Sequence, residues 1–421
     1  MGDPLRSLVA SNTPATFWRL LAEPQPTAAE WAAAVSAAAP VLPIAARIGG
    51  DDIESLLAAA LGEGQFGEDH WRLSTLRRGY YALKPLLPRR LTRRLRQMQR
   101  RSIETSFAFG WPSEPRLADF LLSVVRELLR LTGRPAVDYI HFWPDGHRMA
   151  FVLTHDVETA DGQQRIAELA DLDAAYGFRS SFNFVPERYP LDWDLIAELR
   201  RRGFEVGVHG LTHDGSLFRS YREFTRRAHR INQHVRALGA RGFRAPLMHR
   251  NPMWMQALEI DYDLSFFDTD PFEPIPGGTM SLWPFQLGRF LELPYTLVQD
   301  YTLTSVLKET TPRLWLEKVD VIERYGGMAL VNTHPDYLND LTTRQVYVAF
   351  LEAMRSRADV WNPLPAELAR WWRARREAES VDSLDGAVRR TISLLGDDGT
   401  RSAHRVGKRP IDQFALTALT G

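Results

Sequence analysis

Phe151-Val152-Leu153-Thr154-His155-Asp156-Val157-Glu158 is the stretch on which the reading of this chain turns. A short apolar run closes in two acids separated by one residue, the pattern of a buried strand that delivers polar groups at its C-terminal end. Working outward, similar runs recur at Ser180–Val185, Phe204–Val208, Gly242–Ala245, Tyr262–Phe267, Phe290–Leu297 and Met328–Val331. Most gaps hold a helical stretch, as in Gly162–Tyr176, Leu191–Arg202, Arg219–Leu238 and Arg313–Tyr325. Seven strands alternating with helices predict an α/β fold with a parallel sheet, most economically a (β/α) barrel. In such barrels chemistry collects at the C-terminal ends of the strands.

The polar residues at those ends are of a kind that can do chemistry. The third run ends in His209-Gly210-Leu211-Thr212-His213. Two histidines four apart converge on one metal if the backbone between them makes a helical turn. The fourth run reads Arg241-Gly242-Phe243-Arg244-Ala245-Pro246, where Arg244 can hold a carboxylate. The last run ends in Asn332-Thr333-His334-Pro335-Asp336, with His334 a candidate general acid. Each motif alone has a plain structural explanation: an N-cap, a surface arginine before a turn proline, a hydrogen-bonded core histidine. Together, and in order at the ends of strands one, three, four and seven, they make the set a mononuclear metal hydrolase needs. A carboxylate and two imidazoles bind a divalent ion, a separate carboxylate takes a proton from water, and a protonated imidazole gives one to the leaving group.

These motifs resemble the polysaccharide deacetylase family, carbohydrate esterase family 4, over about residues 145–360. The resemblance implies a distorted seven-stranded (β/α) barrel that removes acetyl groups from N-acetylated or O-acetylated sugars with one divalent metal ion, usually zinc. The family's first motif is usually Thr-Phe-Asp-Asp; here Thr154-His155-Asp156-Val157-Glu158 is similar to a branch in which the second acid is displaced by one residue. The resemblance then implies Asp156 as base, Glu158, His209 and His213 as metal ligands, Arg244 orienting Asp156, and His334 as acid. The alternative is Asp156 as the ligand, with His155 or a water chain as base. Tyr262-Asp263-Leu264-Ser265 and Leu282-Trp283-Pro284 match the family's groove-lining elements, which makes Asp263 and Trp283 candidate substrate contacts. A core position for Trp283 and a loop-tying role for Asp263 are the competing readings.

The rest of the 421-residue chain is read by composition. Lys plus Arg and Asp plus Glu are both 52, so the basic excess of a dedicated nucleic-acid binder is missing. With no cysteine, disulfides, thiolate metal sites and a cysteine nucleophile are excluded. Residues 1–145 read as a mainly helical region, with helices at Ala28–Ala39, Ile53–Leu61 and Leu117–Leu131. Pro112, Pro115, Pro135 and Pro144 punctuate the passage to the barrel, residues 146–376. Arg89–Arg101 carries a basic run that reads either as a solvated helix face or as a peripheral contact for anionic lipid or a lipid-linked glycan. Residues 377–421 are expected to be a weakly ordered tail. No signal peptide or membrane-spanning run is read, so the expected location is the cytoplasm. Two further function classes remain open at this point: an amidohydrolase acting on a non-sugar amide, and a non-catalytic carbohydrate-binding protein on the same barrel.

Overall fold

The computed structural model describes residues 4–42, 52–67, 70–71 and 107–394. All seven expected runs take part in one sheet. The parallel strands these runs form are, in chain order, Met149–Val157, Ser180–Phe184, Glu205–His209, Gly242–Arg244, Tyr262–Asp263, Phe290–Glu292 and Met328–Thr333, and a short strand, Val360–Trp361, adds in parallel to the start of the first. Each pairs in parallel with the next up to the sixth, and the seventh pairs with the first. The sheet curls until a parallel bridge, Leu297 to Val331, joins the sixth run to the seventh. Leu297 N donates to Leu330 O at 3.0 Å there. The barrel is distorted because strands four to six hold only short ladders, and Phe285–Leu287 adds an antiparallel partner at the sixth. The first strand is buried along its whole length, as expected of a parallel strand covered on both faces.

Helices Trp193–Arg201, Tyr221–Ala237 and Arg313–Tyr325 fall where the apolar spacing puts them. The first expected helical stretch, Gly162–Tyr176, breaks at Arg165 into Ala160–Gln164 and Ile166–Ala175. Leu341–Arg355 and Pro365–Glu377 close the barrel.

In the N-terminal region, Arg116–Thr132 buries Leu117, Phe120, Leu121, Val124, Val125, Leu128 and Leu129, one continuous helical face. Ala28–Ala38 starts at a capping box, Thr27 with Glu30. This region packs on the barrel with polar as well as apolar contacts. The buried Glu63 accepts from Arg250 Nε at 2.7 Å and from Gly278 N at 3.0 Å, and a second guanidinium nitrogen of Arg250 completes the pair.

One organisational expectation needs correction. Ala136–Ile140, in the mainly helical region, is a strand paired antiparallel with Arg389–Ser393. Residues 378–394 of the expected tail are therefore ordered, because Arg389–Ser393 finds a partner strand. The basic run Arg89–Arg101 lies outside the described residues. No helix among the described residues is long and apolar enough to cross a membrane.

Candidate active site

Strand alternation explains the spacing of the acids. Residues i, i+2 and i+4 of a strand share a face, so Thr154, Asp156 and Glu158 all look into the barrel mouth while His155 looks outward. His155 Nε2 meets Asp173 Oδ2 at 2.9 Å and its Nδ1 meets Thr333 Oγ1 at 2.7 Å. That buried tie to the helix layer removes His155 from the base role.

Neighbouring strands set the surroundings of Asp156. Asn183 stands directly across from Asp156, and His209 across from Arg244. Asp156 Oδ1 accepts from Asn183 Nδ2 and from Arg244 Nη1, each at 3.0 Å. Its Oδ2 accepts from Asn332 Nδ2 at 2.8 Å. Arg244 Nη1 also reaches Thr154 Oγ1 at 2.9 Å and Asn332 Oδ1 at 2.7 Å, and Nε donates to Leu264 O at 3.0 Å. Burial pushes the Asp156 carboxyl up, but the Arg244 guanidinium, helped by His209, His334 and Asn183, reverses this and holds it well below the usual range.

The ligating atoms of Glu158, His209 and His213 all lie within 4.8 Å of one another. The histidines converge through a bend, not the helical turn that the spacing suggested: residues 210–213 form no helix. Gly210 takes φ 67° and His213 φ 53°, both left-handed. A side chain at Gly210 would strike Pro246, 2.3 Å from an ideal Cβ. The strain at His213 is of the kind held in place by its surroundings, here by Asp214, which takes two bonds of 2.7 Å from Arg227.

The donor set fits a metal ion. His209 donates Nδ1–H to Arg244 O at 3.1 Å, which leaves Nε2 with its lone pair free. The Nε2 atoms of His209 and His213 are both buried without a hydrogen-bond partner. His213 Nε2 and Glu158 Oε1 approach to 2.9 Å without the alignment of a hydrogen bond, as atoms aimed at a shared third point would. Burial raises the Glu158 carboxyl, and His213 above all brings it well below its ordinary value.

His334 faces this group from the seventh strand, its Nε2 3.6 Å from Glu158 Oε1. Its other nitrogen is held by Asp300, a residue that sequence reasoning did not single out. Asp300 follows the sixth run in a segment with no motif. Asn183 and Asn332 were missed too, although each is a polar residue on a buried strand, and Asn332 stands two before His334 on the same face.

Two candidate contacts lie elsewhere. Trp283 is 3% exposed and donates Nε1–H to Gly326 O at 2.9 Å. Its ring packs on Phe17 and Phe142, with centroids 4.9 and 5.4 Å away, so it belongs to the aromatic seam between the N-terminal region and the barrel. Asp263 is fully buried and takes bonds from Ser265 Oγ at 2.8 Å and Ser265 N at 3.0 Å. It ties its own loop. Both satisfy their polar groups inside the core rather than at an exposed surface.

No profile of a known family matches the chain, and no curated protein matches it. Solved structures that it resembles include a Mycobacterium smegmatis protein assigned to the polysaccharide deacetylases, at 18% identity over 56% of this chain and 94% of that one, TM-score 0.46. The allantoinase Puue matches at 16% identity over 57% and 95%, TM-score 0.46. The peptidoglycan deacetylase PdaC of Bacillus subtilis matches at 14% identity over 56% and 96%, TM-score 0.37.

Proposed function

We propose that the chain is a metal-dependent hydrolase that removes acetyl groups from N-acetylated, or O-acetylated, sugars of a polysaccharide or glycoconjugate, with one zinc ion held by Glu158, His209 and His213. The observation that carries the reading is the meeting of three groups at one barrel mouth. They are a metal-ligand triad, a buried carboxylate clamped by Arg244, and a histidine paired with a second carboxylate.

Such an ion, when bound, polarises the scissile carbonyl and makes water more acidic. The chain's own residues do the rest. Asp156 accepts the proton of the attacking water at Oδ2, the oxygen nearer His209 Nε2, 3.8 Å away. Arg244 keeps Asp156 ionised and in place. His334 protonates the departing amine, which is a poor leaving group otherwise. Burial alone would lower its pKa, but Asp300, then Glu158 and Asp156, raise it to about 10, which favours the protonated ring.

Acetate release from a panel of acetylated saccharides, with and without chelator, tests the reading. Release that chelator stops supports it. Release only from non-sugar amides would move the chain to the amidohydrolases, and tight glycan binding without turnover would make it a binding protein.

A further inference from the structure

Asn332 occupies a buried position on the seventh strand where an apolar residue would satisfy the fold. Its carboxamide instead makes two contacts at once. Arginine can only donate, so the oxygen of Asn332 must face Arg244 Nη1, at 2.7 Å, and the nitrogen is thereby turned to Asp156 Oδ2, at 2.8 Å. Aspartate at this position would lose the donor, and leucine both ends.

We propose that Asn332 is a positioning residue that fixes the direction in which the Asp156 carboxylate faces the attacking water, acting through Asp156 and Arg244; this rests on the deacetylase reading above. The carboxylate torsion of an aspartate is broad and roughly two-fold. One anchor on Oδ1 leaves Oδ2 free to swing. Asn183 and Arg244 fill Oδ1, and Asn332 holds Oδ2 from the opposite strand, so the carboxylate is gripped from both neighbours of the first strand. Room for the Asn183 side of this grip comes from Gly207, directly across from Asn183, where an ideal Cβ would lie 2.1 Å from Asn183 Oδ1. Two residues on from Asn332, His334 follows the end of the same strand. One side of the grip on the base and the start of the acid's loop therefore share one element.

The test compares Asn332→Leu and Asn332→Asp with wild type, each zinc-loaded, with N-acetylated chitotetraose as substrate. Misplacing a reacting group by about an ångström costs on the order of 100-fold in rate. Both variants are expected to lose about that in kcat, while KM and zinc content stay at wild-type values. Crystal structures of the variants are expected to show the Asp156 carboxylate turned from its wild-type orientation. Asn332→Asp keeps the volume and is read alone if the leucine variant does not fold. Unchanged kcat, or an Asp156 carboxylate that stays in place, overturns the proposal. If wild type releases no acetate, the deacetylase reading falls, and the crystallographic comparison still decides whether Asn332 orients Asp156.

Discussion

Asp300 grips His334 twice: its Oδ1 accepts Nδ1–H at 2.7 Å and its Oδ2 accepts the backbone N–H of the same residue at 2.8 Å. A carboxylate held this way fixes the tautomer and the direction of the ring and leaves Nε2 pointing at Glu158. The Tyr337 ring packs at a tilt against the imidazole, centroids 4.7 Å apart and planes at 42°.

Asp300→Asn removes the charge that supports the protonated ring while keeping an acceptor for Nδ1–H. General acid catalysis contributes roughly 10²–10⁴-fold, so kcat for deacetylation is expected to fall by an amount in that range, with zinc stoichiometry unchanged. Steady-state kinetics beside metal analysis checks this. A variant with full turnover would remove His334 from the acid role.

His209→Ala and His213→Ala each delete a ligand. Because a bound ion stabilises the folded state by mass action, about 2.7 kcal/mol at a hundredfold excess over Kd, zinc is expected to raise the thermal midpoint of wild type and to have little effect on either variant. Equal shifts in all three proteins would place the ion elsewhere.

The motif residues and the ladder of seven strands were legible in the sequence for one reason. Strand alternation and loop position translate directly into which side chains share a mouth, as with Asp156 and Glu158 on one face. Long-range partners were not legible. Asp300 approaches His334 because the sixth and seventh runs meet at Leu297 and Val331, and no local pattern encodes that. Trp283 and Asp263 were misplaced because matching a motif says nothing about burial. Trp283 is claimed by Phe17, about 270 residues away in sequence, a contact that only packing creates. The order of residues 378–394 was missed for the same reason, since Arg389–Ser393 is a strand only by virtue of Ala136–Ile140.

Glu205 links stability to pH. Its carboxyl is raised from 4.5 to about 7, chiefly by burial, against the N–H of Ala366 and the hydroxyl of Tyr262, which lower it. The folded state thus holds this proton more tightly than the unfolded chain. The group costs nothing below pH 4.5 and destabilises increasingly as pH rises through about 7. Thermal midpoints at pH 5 and pH 8 are expected to show a smaller alkaline loss in Glu205→Gln than in wild type. An equal loss in both proteins contradicts the assignment.

Glu63→Gln tests how the N-terminal region is fixed to the barrel. Glu63 and Arg250 are both fully buried, and removing one partner of such a pair typically costs about 3–5 kcal/mol. Urea unfolding is expected to show a loss of that size. A loss below about 1 kcal/mol, the range of exposed pairs, would mean that the contact is not buried in solution.

Deacetylation by Asp156 and His334 that depends on one ion held by Glu158, His209 and His213 is checked by titrating zinc into chelator-stripped protein while acetate release from N-acetylated chitotetraose is followed. No release is expected without metal, then a linear rise that levels off at one ion per chain. Full turnover by the metal-free protein, or a rise that continues well beyond one equivalent, would contradict it.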